Sequence, residues 1–76
     1  MEKTYMLISC EVGEEQSLCS ELKEISEISN CLITYGSYDL VAEFVTDSPS
    51  QINEIIRSKI RKLKKIRSTI TLRVTN

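Results

Sequence analysis

Apolar and polar residues recur along the chain with periods that predict strands and helices in a definite order. Thr4 to Glu11 is rich in β-forming residues and is apolar on both faces, which predicts a first strand covered above and below. After Gly13, Leu18, Leu22 and Ile25 recur at the spacing of one helical face. We therefore expect an amphipathic helix to follow the first strand.

A β-hairpin is predicted in the middle of the chain. Cys31 to Tyr35 and Tyr38 to Val45 resemble strands and flank Gly36-Ser37, which fits a two-residue turn. Counting outward from this turn, the predicted cross-strand pairs are Tyr35 with Tyr38, Thr34 with Asp39, and Ile33 with Leu40. One face of the hairpin is then nearly all apolar: Cys31, Ile33, Tyr35, Tyr38, Leu40, Ala42 and Phe44. The other face is mixed: Leu32, Thr34, Asp39, Val41, Glu43 and Val45.

A second helix and a fourth strand complete the pattern. Ser48, Pro49 and Gln51 are placed as a helix cap, a first-turn proline and the end of a capping box. The apolar stripe of this helix consists of Ile52, Ile55, Ile56, Ile60 and Leu63. Ile66 to Thr75 alternates, which predicts a strand. One side of this strand consists of Ser68, Ile70, Leu72 and Val74. The other side consists of Arg67, Thr69, Thr71 and Arg73.

The predicted fold is a single α+β domain over residues 1–76, with the ferredoxin-like order βαββαβ. Two helices would cover one face of a four-stranded antiparallel sheet. The opposite face keeps Leu32, Val41, Val45 and one side of the first strand, an apolar area that a lone molecule would expose to water. A chain this short also has a marginal core. We therefore expect a homodimer related by a two-fold axis.

Residue composition narrows the classes of function. The sequence has no histidine, which removes the usual general base and the usual metal ligand. Its three cysteines have no paired short spacing, so we expect reduced, buried thiols rather than a zinc site. The sequence thus predicts a protein that is not an enzyme and has no metal or other cofactor. Without a membrane span or signal pattern, we expect a cytoplasmic protein.

Charge is divided unevenly along the chain. Residues 1–56 carry all eleven acidic residues with two basic ones, whereas residues 57–76 carry the other eight basic residues. A basic C-terminal part is one signature of nucleic-acid binding. The alternative is that two helices of opposite charge lie side by side. The near-zero net charge of −1 favours this alternative.

The segments 34–40, 56–60 and 69–71, in this order of elements, resemble the ligand-binding (RAM) domain of the Lrp/AsnC family. The most specific part is the Gly-x-Tyr-Asp-Leu stretch at 36–40. The resemblance implies sheet-to-sheet dimers that close an α+β barrel, assembly into tetramers of dimers, and binding of small amino-acid effectors between subunits. Family members usually carry a DNA-binding helix-turn-helix. With its first strand starting near Thr4, the chain is expected to be a stand-alone form without direct DNA binding.

The resemblance places the effector at the loop formed by Tyr35, Gly36, Ser37, Tyr38 and Asp39. Residue chemistry agrees, because Asp39 can bind an ammonium group and the backbone N–H groups around Gly36 can bind a carboxylate. The alternative is that Gly36 and Ser37 only turn the chain, with Asp39 bonded to Thr34 or a nearby base. Thr69 and Thr71 have two interpretations as well, as sheet-stabilising hydroxyls or as contacts to effector or partner.

The predicted dimer interface consists of Leu32, Thr34, Val41, Glu43, Val45, Arg67 and Arg73. The function predicted from these features is an effector-sensing and oligomerisation module that modulates a partner regulator, for example a DNA-binding paralogue in a mixed oligomer. Two alternatives stay open at this point. One is a small dimeric ferredoxin-like enzyme, and the other is a nucleic-acid accessory protein that uses the basic C-terminal helix.

Overall fold

The structure is a computed structural model that describes residues 2–74. Its elements are β1 (Glu2–Cys10), α1 (Glu15–Lys23), β2 (Ile28–Ile33), β3 (Leu40–Thr46), α2 (Pro49–Ile55) with a π-helical extension (Ile56–Ile60), and β4 (Ile66–Arg73). This confirms the predicted order βαββαβ. The predicted end of the fourth strand at Thr75 lies outside the described residues.

The four strands form one antiparallel sheet in the order β2-β3-β1-β4. Alternate residues of β1 and β3 are buried under α1 and α2, as the spacing of a pleated strand requires. Phe44 and Met6 are the largest of these side chains and are fully buried. The core therefore lies on one face of the sheet, and the helices cover that face only.

The central hairpin has the predicted register but a wider loop. Ile33 pairs with Leu40 as expected, and the Thr34 N–H donates to the Asp39 carbonyl at 2.8 Å. The expected pairing of Tyr35 with Tyr38 is wrong, because the strands separate before these residues and Tyr35 is fully exposed. β2 also starts earlier than predicted, at Ile28, and a bulge between Ile28 and Asn30 shifts its register. Ile33 lies at the sheet edge and is exposed rather than buried.

The second helix starts where predicted, with Pro49 in its first turn, but its capping differs from the prediction. Ser48 makes no side-chain capping bond to the helix. Gln51 instead accepts from the Asp47 N–H at 2.8 Å, one residue before the expected partner. In the π segment the Arg61 N–H donates to the Ile56 carbonyl at 3.0 Å. This wider turn brings residues five apart to the same side, so that both Ile55 and Ile60 are buried.

The direction of the last strand follows from its pairing with β1. Leu7 pairs with Ile70 and Tyr5 with Leu72, so the apolar side of β4 lies on the helix-free face of the sheet. Thr69 and Thr71 pair with buried residues of β1 and lie on the helix side. A bulge opposite Ser9 and Cys10 leaves Arg67 without a direct partner in the ladder. Among residues 2–74, none of the helices has both the length and the apolar character that crossing a bilayer requires.

Candidate functional site

A cleft of about 620 Å³ opens at the end of the sheet where β1 ends and β3 begins. Two connections meet here, the β1–α1 turn and the β2–β3 loop, because antiparallel neighbours bring the end of one strand beside the start of the next. The lining residues from these connections are Gly13, Glu15, Gln16, Thr34, Tyr35, Gly36 and Asp39. The cleft thus carries two carboxylates and no basic side chain.

Asp39 links the cleft to the first strand. One of its carboxylate oxygens, Oδ2, accepts a hydrogen bond from the Cys10 N–H at 2.9 Å. Its own N–H donates to the Ile8 carbonyl at 2.8 Å. A carboxylate has more than one acceptor site, so one oxygen stays available to a ligand while the other holds β1. The alternative interpretation from the sequence, a bond between the Asp39 side chain and Thr34, is not observed. Thr34 Oγ1 instead donates to the Tyr38 carbonyl at 2.8 Å.

Both glycines of the cleft have backbone conformations that disfavour other residues. Gly36 has φ +133° and Gly13 has φ +85°. A Cβ added at either position would have no heavy atom within 4 Å. The requirement for glycine is therefore conformational, and the space beside each backbone stays open to a ligand.

The residues predicted to bind effector fall in two places. Tyr35, Gly36 and Asp39 line the cleft together, and Ser37 and Tyr38 belong to the same loop. Thr69 and Thr71 line a different cleft, between β4 and the second helix. The sequence interpretation missed Gly13, Glu15 and Gln16. The predicted antiparallel sheet could have identified them, because it places the β1–α1 turn beside the β2–β3 loop.

The helix-free face of the sheet holds most of the predicted interface. Leu32, Val41, Leu7 and Ile70 form one apolar row across all four strands. Leu32 is 54% exposed and Ile70 is 42% exposed. Two further members of the predicted interface, Glu43 and Val45, lie on the same face.

The three other residues predicted for the interface lie away from this row. Thr34 is in the loop. Arg67 and Arg73 have partners within the chain, because Arg67 Nε is 3.6 Å from Glu11 Oε2 and Arg73 Nη2 donates to the Pro49 carbonyl at 3.3 Å.

Comparisons with known proteins agree with this geometry. The family model of the Lrp/AsnC ligand binding domain matches residues 4–76. The chain belongs to this family. The expected resemblance is therefore confirmed, although no curated protein sequence matches the chain.

Solved structures show the same fold as this Lrp/AsnC domain. A hypothetical protein from Pyrococcus horikoshii is 28% identical, with a TM-score of 0.95 over 100% of this chain and 92% of that one. E. coli AsnC is 21% identical, with a TM-score of 0.91 over 99% of this chain and 51% of its own. A transcriptional regulator from Neisseria meningitidis, solved as a complex with L-Met, is 8% identical, with a TM-score of 0.87 over 99% of this chain and 50% of its own.

Several basic residues of this Lrp/AsnC domain pair with acidic ones. Lys65 contacts both Glu21 and Glu14 of the α1 region. Lys59 Nζ is 3.3 Å from Glu27 Oε1, and Arg57 Nη2 is 2.9 Å from Glu54 Oε2. The Arg57 pair lies within one helix, but the contacts of Lys65 and Lys59 join the basic part to the α1 region and favour the side-by-side arrangement over a continuous basic surface for nucleic acid.

The cysteines have the environment of structural thiols. Cys10, Cys19 and Cys31 are all free and buried. Burial is the main cause that raises the pKa of Cys31 to about 12, and burial also raises the pKa of Cys10. A nucleophilic cysteine needs the opposite shift, toward the thiolate. The enzyme alternative therefore gains no nucleophile from Cys10 or Cys31.

Proposed function

We propose that the chain is a non-enzymatic module that senses a small amino acid and assembles into oligomers. The observation that carries the proposal is the cleft that brings Gly36 and Asp39 together with the first turn of α1. Asp39 and Glu15 supply negative charge for an ammonium group. Glu14, at the helix cap, makes no side-chain capping bond, so first-turn N–H groups of α1 are available for a carboxylate.

Self-association is the second part of the proposal. The apolar row on the helix-free face would be covered by the same face of a second copy, giving a two-fold dimer. Family membership supports this arrangement and the further assembly into tetramers of dimers. The cleft lies at the end of the sheet, so a neighbouring subunit would close it over the bound amino acid.

The third part concerns the output of the sensor. E. coli AsnC is about twice as long as the matched region, since the chain covers 51% of it. We propose that this chain joins mixed oligomers with a longer regulator of the same family that binds DNA. Native mass spectrometry of the chain mixed with such a regulator tests this directly. Only homo-oligomers in the mixture would contradict the mixed assembly and leave the sensor proposal standing.

Calorimetry with each of the proteinogenic amino acids tests the sensor itself, starting with L-methionine. Because an amino acid has few heavy atoms, we expect dissociation constants of about 1 μM to 1 mM. Asp39→Asn keeps an acceptor for the Cys10 N–H but removes the charge, and should weaken binding about tenfold. Glu24→Gln removes the same charge from an exposed position outside the cleft and should bind as the unchanged chain does. Absence of heat with every amino acid would overturn the proposal.

A further inference from the structure

A second cleft, of about 570 Å³, lies between β4 and the helical segment that precedes it. Its polar lining includes Asn53, Arg61, Arg67 and Thr69. It opens on the helix side of the sheet, so the sheet-to-sheet dimer proposed above would leave it accessible. It is separate from the cleft at Gly36, and no residue lines both.

The two clefts have opposite charge. The cleft at Gly36 is lined by two carboxylates and no basic residue. The cleft beside β4 is lined by two arginines and no acidic residue. The side chains of the first therefore suit an ammonium group, whereas those of the second suit an anion that two guanidinium groups can bind.

Local irregularities of the backbone lie at both arginines of this cleft. Arg61 directly follows the π segment, and its N–H closes the wide turn on Ile56. Arg67 is the extra residue of the β-bulge in β4. Strict alternation along β4 already places Arg67 on the same side as Thr69 and Thr71, which also line the cleft. Two rare backbone features thus meet at one site.

Neither arginine is fully occupied by partners within residues 2–74. Arg61 makes no ion pair or side-chain hydrogen bond there. Arg67 has one weak contact, with Nε 3.6 Å from Glu11 Oε2, which is longer than a hydrogen bond, and its side chain is 61% exposed. Their Nη groups can therefore bind a ligand without breaking a strong interaction.

The remaining lining restricts the ligand further. Ile56, Leu63 and Ile66 are half-buried and give the cleft an apolar wall. We propose that this cleft binds a small monocarboxylate with an apolar body and no ammonium group, as in an α-keto acid. Both guanidinium groups bind the carboxylate, and Asn53 and Thr69 donate hydrogen bonds to the keto oxygen. The apolar body of the ligand packs on the apolar wall. An amino acid fits less well, because no lining carboxylate compensates its ammonium group.

Heteronuclear NMR titration of the full chain with the α-keto acid of leucine tests the proposal, and L-leucine is the matched ligand with the same carbon skeleton. The keto acid should shift the amide signals of Thr69, Thr71 and Arg61. Arg61→Gln and Arg67→Gln should each weaken its binding about tenfold. Lys62→Gln removes the same charge from an exposed neighbour outside the cleft and should leave the affinity unchanged.

Four results would overturn the proposal. The first is that no amide signal shifts at about 10 mM keto acid, and the second is that L-leucine binds at the same amides with the same affinity. The third is that Lys62→Gln weakens keto-acid binding as much as the two arginine variants do. The fourth is that an equal concentration of inorganic phosphate displaces the keto acid. The last result would show that the apolar wall contributes nothing. Asp39→Asn should leave keto-acid binding unchanged, so this test fails or succeeds independently of the amino-acid site.

Discussion

The Asp39 carboxylate and the Cys10 backbone N–H are joined by a hydrogen bond of 2.9 Å between the start of β3 and the end of β1. Cys10 is 3% exposed, so its N–H has little access to water as a replacement partner. The residue that we propose for ammonium binding therefore also fixes the wall of its own cleft. Effector binding and the geometry of the sheet end depend on the same side chain.

We expect Asp39→Ala to lower the free energy of unfolding by about 1–3 kcal/mol, because the Cys10 N–H loses its acceptor. Asp39→Asn should cost much less, since the amide oxygen can accept the same bond. Urea unfolding followed by circular dichroism measures both. Asp47→Ala is the control, because Asp47 is exposed and its side chain makes no hydrogen bond within residues 2–74. Equal stability of the two Asp39 variants would contradict the structural role.

The order of elements along the chain and the register of the central hairpin could be predicted from the sequence, because they depend on local patterns. Gly36 marks the turn, and counting outward from it gives Ile33 opposite Leu40 as observed. The width of the loop could not be predicted this way. Tyr35 is a good strand former, but its pairing is decided by where the sheet ends, which is a tertiary property.

The division of the predicted site residues between two clefts has a similar origin. Thr69 and Thr71 share a side of β4, and the sequence shows this alternation. Which side faces the helices depends on the register with β1, and this register is not encoded in a local pattern. Arg67 belongs to the same side of the predicted strand as Thr69 and Thr71, so the same register explains why it was predicted at the interface but lies beside the second helix.

Glu43 and Tyr5 form a polar pair within the apolar sheet face, and this pair predicts a pH dependence. Tyr5 Oη donates to Glu43 Oε2 at 2.6 Å, and Ser29 Oγ donates to Oε1. The bond from Ser29 is the main cause that lowers the pKa of Glu43, and the bond from Tyr5 lowers it further. The same bond between Tyr5 and Glu43 raises the pKa of Tyr5. A lowered carboxyl pKa stabilises the fold above the unfolded value of 4.5, and this contribution is lost as the pH falls through the folded pKa.

The tyrosine acts in the opposite direction. Its raised pKa stabilises the fold below the unfolded value of 10.0, and this contribution is lost as the pH rises through the folded pKa. We expect Glu43→Gln to reduce the loss of Tm on the acid side and Tyr5→Phe to reduce it on the alkaline side. Thermal unfolding from pH 3 to 11 at constant protein concentration, spanning both unfolded pKa values, measures this. Profiles parallel to that of the unchanged chain would contradict the assignment.

The buried cysteines should react slowly with thiol reagents in the folded protein. Burial raises the pKa of Cys31 to about 12, so its thiolate is scarce near neutral pH. We expect the three thiols to be labelled slowly by a maleimide under native conditions and rapidly in urea. Mass spectrometry of the labelled protein counts the modified residues over time. Fast labelling of Cys31 at pH 7, without loss of the native circular dichroism signal, would contradict its buried position.

The apolar row on the helix-free sheet face predicts how to separate folding from self-association. Ile70 is 42% exposed and packs beside Leu7 near the middle of this row. In a sheet-to-sheet dimer, Ile70→Lys would bury an unpaired ammonium group, at a cost of several kcal/mol. We expect the unchanged chain to sediment as a dimer or larger assembly and Ile70→Lys to sediment as a folded monomer at the same concentration. Val12→Lys places the same charge at a position 90% exposed in the β1–α1 turn and should keep the dimer. A monomeric unchanged chain, or an Ile70→Lys variant that still dimerises, would show that this face is not the interface.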